Sequence, residues 1–268
     1  MINFEQLTRN IKGDVMTDSL HQMIYATDAS AYREMPLAVV YPRDASDVKA
    51  CIGFARENGI TLIPRAAGTA LAGQVVGNGV VVDVSRYMNC VLEINEEEHW
   101  VRVEPGVVLD ELNMRVKSLG LFFGPETSTS NRCCLGGMVG NNSCGSHSLV
   151  YGSTRDHLLE AKVILSNGEE VVLKGLEKKE VLDKMTCDSL EGKIYKCAVE
   201  MLEKNGEEIV QHFPDSALRR RNSGYAIDQL LYSNYFDATR EDKFNLCKLL
   251  AGSEGTLAFV TELKLNLV

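Results

Sequence analysis

The sequence predicts an α+β fold, and three observations carry that reading. Short β-branched apolar runs alternate with segments whose apolar residues recur at helical spacing, and no internal repeat is present. Asn167-Gly168 lies between two strand-like runs, the dipeptide that closes tight hairpins. The 268 residues are 45% hydrophobic, enough to bury a substantial core as one domain with two lobes.

Taken in order, Phe4, Leu7 and Ile11 stand at helical spacing and predict an N-terminal helix. Val39-Val40-Tyr41 reads as a strand running into Pro42. Asp44-Ala45-Ser46-Asp47 then caps a helix with an apolar face of Val48, Cys51, Ile52 and Ala55, ended by Asn58-Gly59. Strands follow at Thr61 to Pro64, Val80 to Val84, Val91 to Asn95 and Trp100 to Glu104, the last two joined by a charged tip, Glu96-Glu97-Glu98. Val108 to Leu119 predicts a helix with Leu109, Leu112 and Val116 inward and Gly120 as its stop. Ala161 to Leu165 and Glu170 to Leu173 form the arms of the Asn-Gly hairpin. Glu177 to Asp188 is highly charged and reads as a surface excursion, Ile194 to Leu202 as a helix, and Ala258 to Val268 as a final strand.

Composition excludes several classes of function. The longest apolar runs fall far below the ~20 residues of a transmembrane helix, and the N-terminus lacks a signal-peptide pattern. A net charge of −9 speaks against a nucleic-acid partner, and the single basic triplet, Arg219-Arg220-Arg221, reads first as a solvated helix end. Eight cysteines form no C-x-x-C pair, which indicates reduced, mostly buried thiols in the cytoplasm. The five histidines contain no i, i+4 pair, so no metal site is expected.

Three segments carry chemistry. Pro64-Arg65-Ala66-Ala67-Gly68-Thr69-Ala70-Leu71-Ala72-Gly73-Gln74 places tiny side chains directly after the run Ile60 to Ile63, which leaves backbone N–H groups bare. Such a loop can wrap a diphosphate with main-chain donors; an ordinary strand-to-turn connection is the alternative. It is neither a P-loop, since no Lys-Ser/Thr follows the glycines, nor a G-x-G-x-x-G fingerprint. Gly136-Gly137-Met138-Val139-Gly140-Asn141-Asn142-Ser143-Cys144-Gly145 joins close-approach glycines to amides that can bond the edge of a heteroaromatic ring. Gly252-Ser253-Glu254-Gly255-Thr256-Leu257 then leads into Ala258-Phe259-Val260.

In this order and at these separations, the three segments resemble the flavin domain of the FAD-linked oxidases of the vanillyl-alcohol oxidase superfamily. Within it they are most similar to the branch of glycolate oxidase, D-lactate and D-2-hydroxyglutarate dehydrogenases. The resemblance spans Pro36 to Val268 and implies a two-lobed FAD-binding domain of the PCMH type. It implies an N-terminal helical segment over 1–35 and the FAD domain over 36–268, with a smaller lobe over about 36–100 and a larger one over about 101–268. It assigns Arg65, Ala66, Ala67, Gly68, Thr69, Ala70 and Gln74 to the FAD pyrophosphate. Pro125 falls beside the isoalloxazine, and Cys134, Gly136, Gly137, Asn141 and Gly145 along the flavin and ribityl chain, with Tyr151 and Gly152 next. Glu254, Gly255 and Val260 fall around the adenosine end. The adjacent Cys133-Cys134 pair becomes a wall of this site rather than a redox couple.

The chain departs from the family where Ala66-Ala67 replaces two glycines, so any position there needing φ > 0 would be strained; negative φ is expected. Asn142-Ser143-Cys144 replaces Asn-Ala-Gly of many relatives and looks more like the large members fused to iron–sulfur domains. Thr69 stands where relatives with a histidyl flavin carry His, and no histidine lies between His21 and His99, so FAD is expected to be held non-covalently.

The activity implied is oxidation of a D-2-hydroxy acid of the lactate, glycolate or 2-hydroxyglutarate class, with hydride passing to FAD. The implied electron acceptor is a quinone, cytochrome, flavoprotein or iron–sulfur domain, and the implied place is the cytoplasm or a membrane reached through a partner. No catalytic residue is assigned. His147 is the best-placed titratable group, with a structural role as the alternative, and Arg219 to Arg221 before Asn222-Ser223-Gly224-Tyr225 resembles a family stretch that leans toward an anionic substrate. The family continues past the last strand into a substrate domain; here that domain is absent, and an excised or truncated piece is expected. The alternatives are the same fold acting on another alcohol, and a non-catalytic flavin-binding or electron-transfer module.

Overall fold

The computed structural model describes residues 2–215, 217–218 and 224–268, and two sheets organise them. The first contains β1 (Asp14–Met16), β2 (Ala38–Tyr41), β3 (Leu62–Arg65) and β4 (Val80–Asp83) in the order β1-β2-β4-β3. β4 pairs in parallel with both β2 and β3, whereas β1 is antiparallel to β2. All four residues of β2 and of β4 are buried, as parallel strands covered on both faces require, which explains the unbroken Val80-Val81-Val82 run.

The helix read from Asp44-Ala45-Ser46-Asp47 is α3 (Ala45–Asn58), which covers this sheet. The Asp44 carboxylate accepts the Ser46 and Asp47 N–H groups, and Gly59 ends the helix at φ 63°. Val48, Cys51 and Phe54 enter a core with Leu7 of α1 (Phe4–Asn10), Val40 and Val82. The buried Asp47 carboxylate accepts the backbone N–H of Lys12, Gly13 and Arg43, each at 2.9 Å, which ties the N-terminal segment to α3. Residues 2–35 of the expected N-terminal helical segment are thus not helical throughout. They hold α1, the edge strand β1 and α2 (Ser19–Tyr25), because β1 finds its hydrogen bonds on β2 rather than within itself.

The second sheet runs β5-β6-β9-β7-β8 and is antiparallel throughout. It consists of β5 (Val91–Asn95), β6 (Trp100–Val103), β7 (Leu158–Ile164), β8 (Glu170–Lys174) and β9 (Phe259–Asn266), so the chain changes sheet between Asp83 and Val91. The Asn-Gly turn joins β7 to β8, with Gly168 at φ 88°. β9 is the central strand; its residues alternate between buried and half-buried, with Phe259, Thr261, Leu263 and Leu265 inward. Helix α4 (Leu109–Val116) packs on this sheet and tightens into a 3₁₀ turn before Gly120. Ile164 and Phe259, paired at the ends of β7 and β9, pack in the core of the first sheet, so the two sheets share apolar contacts.

The stretch 177–188, read as a surface excursion, forms a helix, α8 (Lys178–Met185). Glu177 and Glu180 cap it reciprocally, Val181 is buried, and Met185, one turn on, packs half-buried against the same core, so a narrow apolar stripe and a cap hold it. The helix over Ile194 to Leu202 extends to α9 (Leu190–His212), capped by Ser189. Four helices of a single turn also occur: α6 (Ser148–Tyr151), α7 (Thr154–His157), α10 (Asp228–Leu231) and α11 (Cys247–Leu250). No described helix is long and apolar enough to cross a membrane.

Candidate cofactor-binding site

A cavity of about 760 Å³ opens where the two sheets meet. Three segments wall it: the loop leaving β3, the stretch from Glu126 to Ser146, and the return from Leu250 to Val260. The middle wall is built on α5 (Leu135–Asn141), a helix containing three glycines. A Cβ at Gly136 would lie 2.5 Å from the Pro105 Cβ, and one at Gly145 would strike the Glu126 carbonyl, so both positions require glycine for backbone approach. A Cβ at Gly137 would lie 3.3 Å from that of Ala66, and one at Gly140 3.7 Å from the Glu254 Cα, so α5 reaches both other walls.

The loop leaving β3 is rich in free donors. Among the described residues, the N–H groups of Gly68, Thr69, Ala70 and Leu71 donate to no protein acceptor, nor does that of Gly137 in the first turn of α5. Ala66 and Ala67 both hold negative φ, so their departure from glycine introduces no strain; Gly68, at φ 66°, is where the turn needs glycine. Opposite them, burial pushes the Cys134 thiol up to about 12 and raises that of Cys133. Both thiols are free and uncharged, forming an apolar wall.

Most residues assigned from the sequence meet at this cavity. Arg65, Ala66, Ala67, Gly68, Thr69, Ala70, Gln74, Cys134, Gly136, Gly137, Asn141, Gly145, Glu254, Gly255 and Val260 all line it. Pro125, Tyr151 and Gly152 do not. Tyr151 packs edge-on against Phe122 at 5.3 Å with Gly124 beneath it, and Gly152 closes α6 at φ 77° against the Asp156 carboxylate. The chain turns away from the cavity after Ser146, which carries both residues behind the wall. Arg65 contributes as a prop: its guanidinium lies 4.8 Å from the Tyr25 ring centroid and donates to the Tyr25 carbonyl at 3.4 Å.

Several lining groups escape sequence reasoning. The hydroxyl run Thr127-Ser128-Thr129 faces the cavity beside Cys133, and its signal is the cluster of hydroxyls directly after Pro125-Glu126. Glu126, also in the lining, accepts from Ser146 Oγ at 3.2 Å and pairs with His147 Nδ1 at 2.9 Å, so His147 stands beside the cavity rather than in it. Arg219 to Arg221 and Asn222-Ser223 lie outside the described residues; next to them Tyr225 shares a 2.6 Å hydrogen bond with Thr256. No group of three or more potential metal ligands occurs among the described residues.

A dinucleotide cofactor fits these walls, because bare N–H groups suit its diphosphate and the glycine-lined face of α5 admits a flat ring. Residues 36–174 match the family model described as FAD binding domain. D-2-hydroxyglutarate dehydrogenase of Pseudomonas putida is 39% identical, over 99% of this chain and 26% of its own length. Its Escherichia coli K12 counterpart is also 39% identical, over 100% of this chain and 26% of its own length. Glycolate oxidase subunit GlcD of Bacillus subtilis is 34% identical over 60% of this chain and 34% of its own length. The chain therefore spans about a quarter of the length of the dehydrogenases it matches.

Among solved structures, alkyldihydroxyacetonephosphate synthase aligns over 98% of this chain and 43% of its own, with a TM-score of 0.65 at 17% identity. The 6-hydroxy-D-nicotine oxidase of Arthrobacter nicotinovorans aligns over 96% and 42%, with a TM-score of 0.61 at 16% identity. At such identities the likeness is one of fold, and it is the α+β FAD-binding fold of the vanillyl-alcohol oxidase (PCMH) type. With a matching model over residues 36–174 and a cavity walled by unpaired backbone donors, the chain belongs to the FAD binding domain family.

Proposed function

We propose that this chain is the FAD-binding part of a flavin-dependent dehydrogenase that oxidises a D-2-hydroxy acid, with 2-hydroxyglutarate the first substrate to test and lactate and glycolate the next. The observation that carries the cofactor half is the row of bare N–H groups from Gly68 to Leu71 facing Gly137 across one cavity. The substrate half rests on the 39% identity to D-2-hydroxyglutarate dehydrogenases over nearly the whole chain. Bound FAD supplies a hydride acceptor for the alcohol carbon. The protein holds and orients it. Gly68 to Leu71 bind the diphosphate, Gly137 and Gly140 let the ring lie close to α5, and the neutral Cys134 wall keeps water and charge from it.

No residue of this chain is assigned as the base that takes the hydroxyl proton. Electrons leave to a quinone, a cytochrome, a flavoprotein or an iron–sulfur domain, and the protein works in the cytoplasm, where eight reduced cysteines are stable. The test is anaerobic bleaching of bound FAD by D- and L-2-hydroxy acids, on this chain and on its full-length gene product. Bleaching of the full-length protein by D-2-hydroxyglutarate and not by its L form is expected. Failure of every D-2-hydroxy acid overturns the substrate class.

A further inference from the structure

The donors of the loop after β3 are useful only if their peptides are turned toward the cavity, and a short segment upstream of the matched range contacts this loop. Residues 26–34 form a self-braced loop: Thr27 bridges to Arg33, and the Glu34 N–H donates to the Ala26 carbonyl at 2.9 Å. Inside it, Asp28 Oδ1 accepts the Ser30 N–H at 2.8 Å and Ser30 Oγ accepts the Tyr32 N–H at 3.1 Å. This loop touches the diphosphate loop at two points. The Ala29 N–H donates to the Gly68 carbonyl at 3.1 Å, and the Tyr32 side chain lies so close over Gly73 that a Cβ there would come within 2.8 Å of Tyr32 Cδ2.

A third support comes from below. The Tyr25 hydroxyl donates to the buried Asp83 carboxylate at 2.5 Å, and the Tyr25 ring carries the Arg65 guanidinium at 4.8 Å. That guanidinium closes on Gly68, where a Cβ would be 2.6 Å from Nη2. Gly68 is therefore held by its carbonyl on one side and by its Cα on another. In a trans peptide the carbonyl of one residue and the N–H of the next point in opposite directions, and no cis bond occurs among the described residues. Fixing the Gly68 carbonyl on Ala29 turns the Thr69 N–H the other way, and this N–H has no protein acceptor.

We propose that the Ala26 to Glu34 loop is a strap that presets the Gly68–Thr69 peptide for an incoming diphosphate, with Ala29 and Tyr32 as positioning residues for FAD. The proposal rests on the FAD reading above and adds the part of the chain that prepares the site. Without the strap the loop would have to be ordered when the ligand arrives, and that ordering would weaken binding. The strap acts on the diphosphate alone, so a flavin without one should not sense it.

The experiment measures the affinity of the chain for FAD and for riboflavin, together with the melting temperature of the flavin-free chain, for wild type, Ala29→Pro, Tyr32→Ala and Tyr32→Phe. Ala29→Pro deletes the donor, Tyr32→Ala removes the ring, and Tyr32→Phe restores it. Loss of one such anchor is expected to weaken FAD by about tenfold. Riboflavin affinity and flavin-free melting stay at their wild-type values, and Tyr32→Phe binds FAD as wild type does. Equal FAD binding by wild type, Ala29→Pro and Tyr32→Ala overturns the strap alone, and so does an equal loss for both flavins. If Ala29→Pro does not fold, the Tyr32→Ala and Tyr32→Phe pair decides by the same criteria. A wild-type chain that takes up no FAD overturns the cofactor reading as well.

Discussion

The side-chain amide of Gln74 donates to the carboxylate of Glu254 at 3.2 Å and so joins two walls of the cavity that lie 180 residues apart in the chain. The other end of the same amide accepts the Ala72 N–H at 3.1 Å, so Gln74 braces its own loop while it clasps the opposite one. Glu254 is set for this role by a left-handed backbone, φ 52°, and by its N–H, which donates to the Gly140 carbonyl at 2.9 Å.

The clasp predicts non-additive losses. Glu254→Ala removes one exposed hydrogen bond worth about 1 kcal/mol, roughly fivefold in FAD affinity; Gln74→Ala removes that bond and the brace to the Ala72 N–H, and the double variant loses no more than Gln74→Ala alone. Glu254→Gly removes the same carboxylate while relieving the left-handed backbone, so the flavin-free chain should be more stable than Glu254→Ala by about 1 kcal/mol. A double-mutant cycle by flavin fluorescence titration, with denaturant unfolding of the flavin-free variants, measures both effects.

Two glycines that look alike in sequence should behave oppositely. Gly145→Ala drives a methyl into the Glu126 carbonyl and is expected to cost about 1–3 kcal/mol of stability. Gly140→Ala meets only ordinary contact with Glu254 and replaces a helical glycine, so the flavin-free chain should become more stable by up to about 1 kcal/mol. Because Gly140 lines the cavity, the same methyl should weaken FAD binding. Thermal melts with and without FAD separate the two outcomes.

Thiol reactivity should divide seven of the eight cysteines by burial. Burial pushes Cys51, Cys134 and Cys247 up to about 12 and raises Cys133, so at mildly alkaline pH these four stay protonated and unlabelled in the native chain. The exposed Cys187 and Cys197 should alkylate readily, and Cys90 more slowly, because the Glu104 carboxylate beside it disfavours its thiolate. Mass spectrometry after a short iodoacetamide pulse reads the order. No histidine lines the cavity among the described residues, and the Cys133 and Cys134 thiols are not nucleophilic; acid precipitation should therefore release all the flavin into the supernatant.

Acid should expose the role of Asp44. Its hydrogen bonds from Lys12 and Ser46 and the cap of α3 hold its carboxyl down at about 2, below the ordinary value of 3.8. A depressed folded-state value means that the stabilisation is complete above the ordinary range and disappears as pH falls through about 2. Asp44→Ala should cost about 1 kcal/mol at neutral pH, the worth of an N-cap. That difference from wild type should narrow below the ordinary carboxylate range and vanish only below pH 2, as followed by urea unfolding across pH.

Legibility in the sequence followed the reach of each signal. Asp44, Asn58-Gly59, Gly120 and Asn167-Gly168 act on their own neighbours, so the ends of α3 and α4 and the β7–β8 turn could be read directly. Gly68 and Thr69 could be read as candidate diphosphate donors because small side chains after a strand leave backbone N–H groups bare. Helix α5 was not, since three glycines in seven residues oppose a helix, and only contacts to Pro105, Ala66 and Glu254 explain why they are there. Tyr151 and Gly152 lie outside the cavity lining, which in this stretch ends at Ser146, and no residue type announces where the wall stops. Ala29 was invisible for another reason: it acts through its backbone N–H, and any residue but proline would donate as well.

The place of β9 in the second sheet has a consequence for biosynthesis. β6 and β7 do not touch each other; each pairs with β9, which the ribosome delivers more than ninety positions after β7 begins. During translation β5–β6 and β7–β8 can therefore exist only as separate hairpins with open edges, held apart until residues 259–266 slot between them. The return from Leu250 to Val260, which closes the cavity, emerges with that strand. A nascent chain stalled before Phe259 has the diphosphate loop but neither the closing wall nor a complete sheet, so cofactor capture follows release of this region rather than accompanying its synthesis.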